Sequence, residues 1–197
     1  MTFSFTLMVV VVVFHWSNNA VLARSTGAPR EACINLKPKH GLTIPQPLNT
    51  CPYIIAVENR FNETDGKEYA IVNITSKEDS PMIAFRGFIM QARFANNPDI
   101  IVDGHFDPAD PKRTQTYTCK LSNTWTHSNN EPKEMVSATW TPPEDFSEDI
   151  VFVGTIIKDK TTYWEQLTSK SLIVGSLINV KMPIKFSSTS FFYIINY

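Results

Sequence analysis

From Tyr53 onward, short apolar runs alternate with polar turn clusters. YIIAV at 53–57 gives way to the polar NRFNETDGKE, in which Asp65-Gly66 signals a turn. YAIVNIT at 69–75 sets Ile71, Asn73 and Thr75 against Val72 and Ile74, the period of a strand buried on one side. EMVSATW at 134–140 repeats that period, with Val136, Ala138 and Trp140 on the core side and Thr141-Pro142-Pro143 as its stop. DIVFVGTII at 149–157 is nearly continuous and rich in β-branched residues, which predicts a strand covered on both faces. With TQTYTC at 114–119, TTYWEQL at 161–167 and the stretch FRGFIMQARF at 85–94, this makes about seven strands at sandwich-like spacing, with a further short strand at 171–174.

FRGFIMQAR at 85–93 fits two periods. Phe85, Phe88, Ile89 and Ala92 would line one face of a helix, whereas Phe88, Met90, Ala92 and Phe94 would line one face of a strand. Gly87 would cost a helix about 1 kcal/mol relative to Ala, and Pro81 and Pro98 leave little length for one. The stretch reads as a central strand, apolar on both faces, with Gln91 and Arg93 nearing solvent at one end. Asp103-Gly104-His105-Phe106 and Thr126-His127-Ser128 read as loops, and the Pro- and Gly-rich residues 24–52 as an extended leading segment.

Composition narrows the function classes. The 197 residues suit one domain with a substantial core. A formal net charge of −1 and no Lys/Arg stripe argue against nucleic acid as a partner. No basic amphipathic face supports membrane lysis. Residues 1–23 lack charged side chains, and the run Leu7 to Phe14 followed by Val21-Leu22-Ala23 reads as a signal peptide cleaved after Ala23. The run is too short for a membrane-spanning helix, which needs about 20 residues. The expected product is therefore secreted, with a domain at 24–174 and an apolar, aromatic tail at 175–197 interrupted by Lys181, Pro183 and Lys185.

Export bears on the three cysteines, Cys33, Cys51 and Cys119, because an oxidising compartment favours one bridge and one leftover thiol. In the chain-entropy model a bridge from Cys33 to Cys119 contributes about 4–5 kcal/mol and one from Cys33 to Cys51 about 3, a mild lean toward the longer loop. No CxxC pair suggests zinc. Asn62-Glu63-Thr64 and Asn73-Ile74-Thr75 are sequons, which makes Asn62 and Asn73 candidate glycosylation sites.

Chemistry is sparse. His40, His105 and His127 are the histidines beyond the leader. His127 with Ser128 and Asp103 or Asp107 lacks a nucleophile elbow, and neighbouring Ser and His point opposite ways on an extended chain. His105, His127 and Asp107 have no metal-ligand spacing. Trp125, Trp140 and Trp164 fit core packing better than an aromatic binding surface. The reading is of a non-enzyme without catalytic residues, metal or cofactor, whose function lies in loops and exposed sheet.

The ordered landmarks Ala32-Cys33, Pro38-Lys39-His40-Gly41, Pro52-Tyr53, FRGFIMQAR, Gly104-His105-Phe106, Tyr117-Thr118-Cys119, Thr126-His127-Ser128, Lys133, Thr139-Trp140-Thr141-Pro142-Pro143 and Tyr163-Trp164 resemble the reeler domain. The resemblance covers roughly residues 27–174 and looks strongest to small secreted insect defence proteins. It implies an immunoglobulin-like antiparallel β-sandwich, a role in innate immunity with antibacterial or antimicrobial activity, and a disulfide between Cys33 and Cys119. Cys51 and the tail depart from the family pattern, and Cys51 is expected unpaired. Microbial surface components are the expected partners, bound without catalysis and without stable membrane insertion. The alternative is an extracellular matrix or adhesion module that recognises glycans or proteins.

Overall fold

A computed structural model of the protein describes residues 26–38, 43–120 and 122–175. The expected signal peptide, His40 and all but the first residue of the tail lie outside these residues. The strands, in chain order, are β1 (Tyr53–Asn62), β2 (Lys67–Ser76), β3 (Gly87–Phe94), β4 (His105–Pro108), β5 (Thr114–Cys119), β6 (Ser122–His127), β7 (Val136–Thr141), β8 (Asp149–Ile157), β9 (Tyr163–Thr168) and β10 (Leu172–Ile173). Every pairing is antiparallel. One sheet runs β1-β2-β7-β4, and the other runs β10-β8-β3-β6-β5 with β9 also on β8.

One apolar core lies between the two sheets. Val72, Ile74, Ala138 and Trp140 from the first meet Phe88, Met90, Trp125 and Phe152 from the second. Aromatic edges lock it: Trp140 meets Phe152 edge-on at 5.5 Å, and Phe88 meets Trp125 at 4.8 Å. Trp125, Trp140 and Trp164 are all buried.

The central strand is β3, between β8 and β6, with Phe88 opposite Ile156 and Ala92 opposite Phe152. Gln91 and Arg93 are buried rather than near solvent, which corrects the expectation from sequence. The reason is the segment 26–36, which crosses the outer face of this sheet and builds a second apolar cluster from Leu36, Ala32, Ile89, Val151 and Val153. An irregular segment on a sheet must satisfy its backbone groups, and outward side chains of the sheet do so. Gln91 Nε2 donates to Cys33 O at 2.8 Å, Arg93 Nη2 to Ile34 O at 3.1 Å, and Thr155 Oγ1 to Leu36 O at 2.6 Å. Ala28 N donates to Thr126 Oγ1 at 3.1 Å. A disulfide joins Cys33 in this segment to Cys119 at the end of β5.

The pattern misplaced other elements. The polar stretch after Val57 is mostly strand: pairing continues to Asn62 opposite Lys67, and the turn closes at Gly66, whose φ is +70° and whose N–H donates to Asn62 O. Polar residues are tolerated there because the outer face of this sheet is solvated. His105 and His127, read as loop residues, stand in β4 and β6. β4 is short and gains its order from β7 and from Phe106, which is fully buried against Trp125.

Candidate functional site

Where β4 hangs between the sheets, an open cleft of about 500 Å3 forms at their edge, lined by Asp103, His105, Thr118, Asn123, Thr141 and Glu144 among others. Two contacts build it. His105 pairs with Thr141 across β4 and β7, and the Phe106 backbone N–H donates to Asn123 Oδ1 on β6 at 3.2 Å, tying the first sheet to the second. Gly104 packs against the Trp140 indole so closely that a Cβ there would stand 2.3 Å from the ring, so only glycine permits this approach.

The cleft's polar groups are largely uncommitted. Asp103, His105, Thr118 and Thr141 make no side-chain hydrogen bond within the described fold, and Asn123 uses its carbonyl while its NH2 stays available. Glu144 meets Lys67 at 3.5 Å in a solvent-exposed pair. Folding leaves polar side chains unspent at a concave site where a ligand could use them.

The other candidate residues are dispersed. His127 is buried beneath Gly87, and its Nδ1 accepts from the Phe88 N–H at 3.1 Å. It lies four residues along β6 from Asn123, about 13 Å at the rise of a strand. Ser128 Oγ donates to Lys112 O at 2.9 Å, so this serine and histidine form no relay. Among the described residues, no group of three His, Cys, Asp or Glu side chains could hold a metal ion. Cys51 is a free, buried thiol whose Sγ contacts Tyr53 O at 3.6 Å, and burial pushes its pKa up. Asn62 caps the β1–β2 turn, accepting from Thr64 N at 2.9 Å, and Asn73 sits midway along β2. Sequence reasoning passed over Asn123, Thr118, Thr141 and Glu144, because their conjunction depends on four separate segments meeting. The Thr141-Pro142-Pro143 stop was the one local signal.

Lys133 is a separate buried polar feature. It is fully buried, and its ammonium donates to Asn129 O, Asn129 Oδ1, Glu131 O and, at 3.3 Å, Arg86 O. Burial, with Arg113 and Arg86 nearby and Glu131 opposing, lowers its pKa to about 8. The backbone groups of Lys133 bond both ways to Phe85, so the loop before β7 is held at both side chain and main chain.

Comparison with known proteins places the chain in a family. Residues 31–177 match the family model for the reeler domain. "Putative defense protein 3" of Antheraea mylitta is 34% identical over 155 residues, 78% of this chain and 88% of that protein. "Defense protein l(2)34Fc" of Drosophila melanogaster is 30% identical over 161 residues, covering 79% and 91%. Among solved structures, the human F-spondin reeler domain aligns with 63% of this chain and 88% of that one, at 19% identity and a TM-score of 0.49. On the family match and on these two relatives, which it spans nearly in full, the chain belongs to the reeler domain family.

Proposed function

We propose that the protein is a secreted insect-type defence protein that restrains microbes by binding their surface components without catalysis. The observation that carries this reading is the cleft at the sandwich edge, where acceptors, hydroxyls and an amide converge unspent. The defence names of its relatives supply the biological setting. Non-catalytic action fits the arrangement, since a general base must stand within hydrogen-bond reach of its nucleophile. The same reading takes the two sheets as an immunoglobulin-like sandwich presenting its binding groups at one edge.

The test is a pull-down of the oxidised, exported protein with whole bacteria and with purified peptidoglycan, lipopolysaccharide and β-glucan, followed by growth assays. Selective capture that Asp103→Ala together with His105→Ala abolishes would support binding through the cleft. Capture unchanged in that variant would move the site elsewhere. An absence of both binding and growth restraint would favour the matrix or adhesion module instead.

A further inference from the structure

Among the described residues, nothing covers the outer face of the first sheet, β1-β2-β7-β4, as residues 26–36 cover the second. Along β1, β2, β7 and β4 the outward residues Ile54, Ala56, Tyr69, Ile71, Asn73, Ser137, Thr139, His105 and Asp107 are half-buried or exposed, never buried. Register aligns them in rows: Ala56–Asn73–Ser137, then Glu58–Ile71–Thr139–Asp107, with the pairs Arg60–Tyr69 and Thr141–His105 beyond them. Apolar Ile54, Ala56, Ile71 and Tyr69 thus share one open sheet face.

Asn73 occupies that face with unusual room. Its cross-strand neighbours are Ala56 and Ser137, both small, and its carboxamide makes no hydrogen bond within the described fold. It begins the sequon Asn73-Ile74-Thr75, and Thr75, two residues on, projects from the same face. We propose that Asn73 carries an N-linked glycan whose proximal sugars lie over Ile71, Ala56 and Ile54, covering this sheet as the disulfide-anchored segment covers the other. The inference rests on the export proposed above, because the sugar donor belongs to the secretory route. In the transfer, the Asn73 carboxamide nitrogen bonds to the anomeric carbon of a lipid-pyrophosphate-linked oligosaccharide and loses one N–H proton. The anomeric C–O bond breaks, and the lipid pyrophosphate leaves with its electron pair. The acceptor is the extended chain before β2 pairs, and the small flanking residues let the modified strand join the sheet.

The glycan leaves the cleft open. Thr141 is four residues along β7 from Ser137, about 13 Å at strand rise, so the modified end of the face and the binding end are distinct. Asn62 serves as an internal comparison, because it caps an exposed hairpin end rather than lying among apolar neighbours.

The experiment expresses the full chain in insect cells and treats protein from the medium with peptide N-glycosidase in heavy-oxygen water. Labelled Asp at position 73 by mass spectrometry is the expected result. Asn73→Gln should lower secreted yield several-fold and promote self-association, whereas Asn62→Gln should leave both unchanged. Adding Ile71→Thr to Asn73→Gln should restore yield, because the apolar surface needing cover is reduced. An unmodified Asn73 in exported protein overturns the proposal while leaving export standing. A modified Asn73 whose loss changes neither yield nor association overturns the covering role. Retention of the chain in cells with its leader intact overturns both this inference and the export reading.

Discussion

The outer faces of the two sheets have been handled in opposite ways. On the six-stranded sheet, residues 26–36 lie across β3, β8 and β6, and the side chains beneath them are buried whether apolar, as Ile89 and Val153, or polar, as Gln91, Thr126 and Thr155. The four-stranded sheet shows ordinary alternation, with Val72, Ile74 and Ala138 inward and Ile71, Asn73 and Ser137 outward. A covered face commits its polar side chains to backbone partners and becomes part of the stability of the domain. An open face keeps them for solvent, a ligand or a modification, and it is along the edge of the open sheet that the cleft forms.

The largest break in this asymmetry should come from the disulfide. Replacing Cys33 and Cys119 together by Ser is expected to cost about 2–5 kcal/mol in thermal or denaturant unfolding. Hydrogen exchange should rise first in residues 26–36 and under them in β3 and β8, and equal exposure of β1 and β2 would contradict the comparison. Next in size is Arg93→Met, which strips hydrogen bonds from Ile34 O, Pro98 O and Gln91 Oε1. It should destabilise by about 1–3 kcal/mol, because buried acceptors would be left unsatisfied. A loss near zero in chemical unfolding would mean that the segment is held by its apolar contacts alone.

A pH series tests buried groups on both sides of the core. Lys133 titrates at about 8 when folded against 10.5 ordinarily, so between those values the unfolded chain holds the extra proton and stability should rise with pH. Burial raises Tyr53 and Tyr117 from 10.0 to about 12, so above pH 10 the folded chain holds protons that the unfolded chain has lost, and stability should fall. Denaturant midpoints should therefore climb from pH 8, flatten above 9, where the buried Cys51 thiol holds a proton that the unfolded chain loses, and drop beyond 10. Lys133→Met should flatten the climb and leave the drop. The smallest effect belongs to the open face: Thr139→Val should change stability by no more than about 0.5 kcal/mol, and a larger loss would show that something packs there.

Much of the strand framework was legible because alternation is a local property. YAIVNIT, EMVSATW and DIVFVGTII carry their burial in their own period, and the structure places β2, β7 and β8 there. β6 was not legible, since SNTWTH carries polar residues on the side that the 26–36 segment later buries. β4 was not legible either, because its four residues are ordered by pairing with β7 and by the docking of Phe106. Of the cleft, the sequence offered Asp103 as a candidate catalytic acid and His105 as a candidate metal ligand, neither as part of a binding site. Asn123 joins them through one hydrogen bond to Phe106 N that no spacing rule anticipates.

The sequence by itself determined an all-β chain, the turns at Gly66 and Pro142-Pro143, and which sides of β2 and β7 face inward. These follow from a two-residue period and from backbone restrictions at Gly and Pro, which act over a few residues. Only the tertiary structure decided which sheet face would be covered. Gln91 is buried because Cys33, 58 residues earlier, lies over it, and an outward polar position on a strand looks the same in sequence whether or not a distant segment returns to cover it.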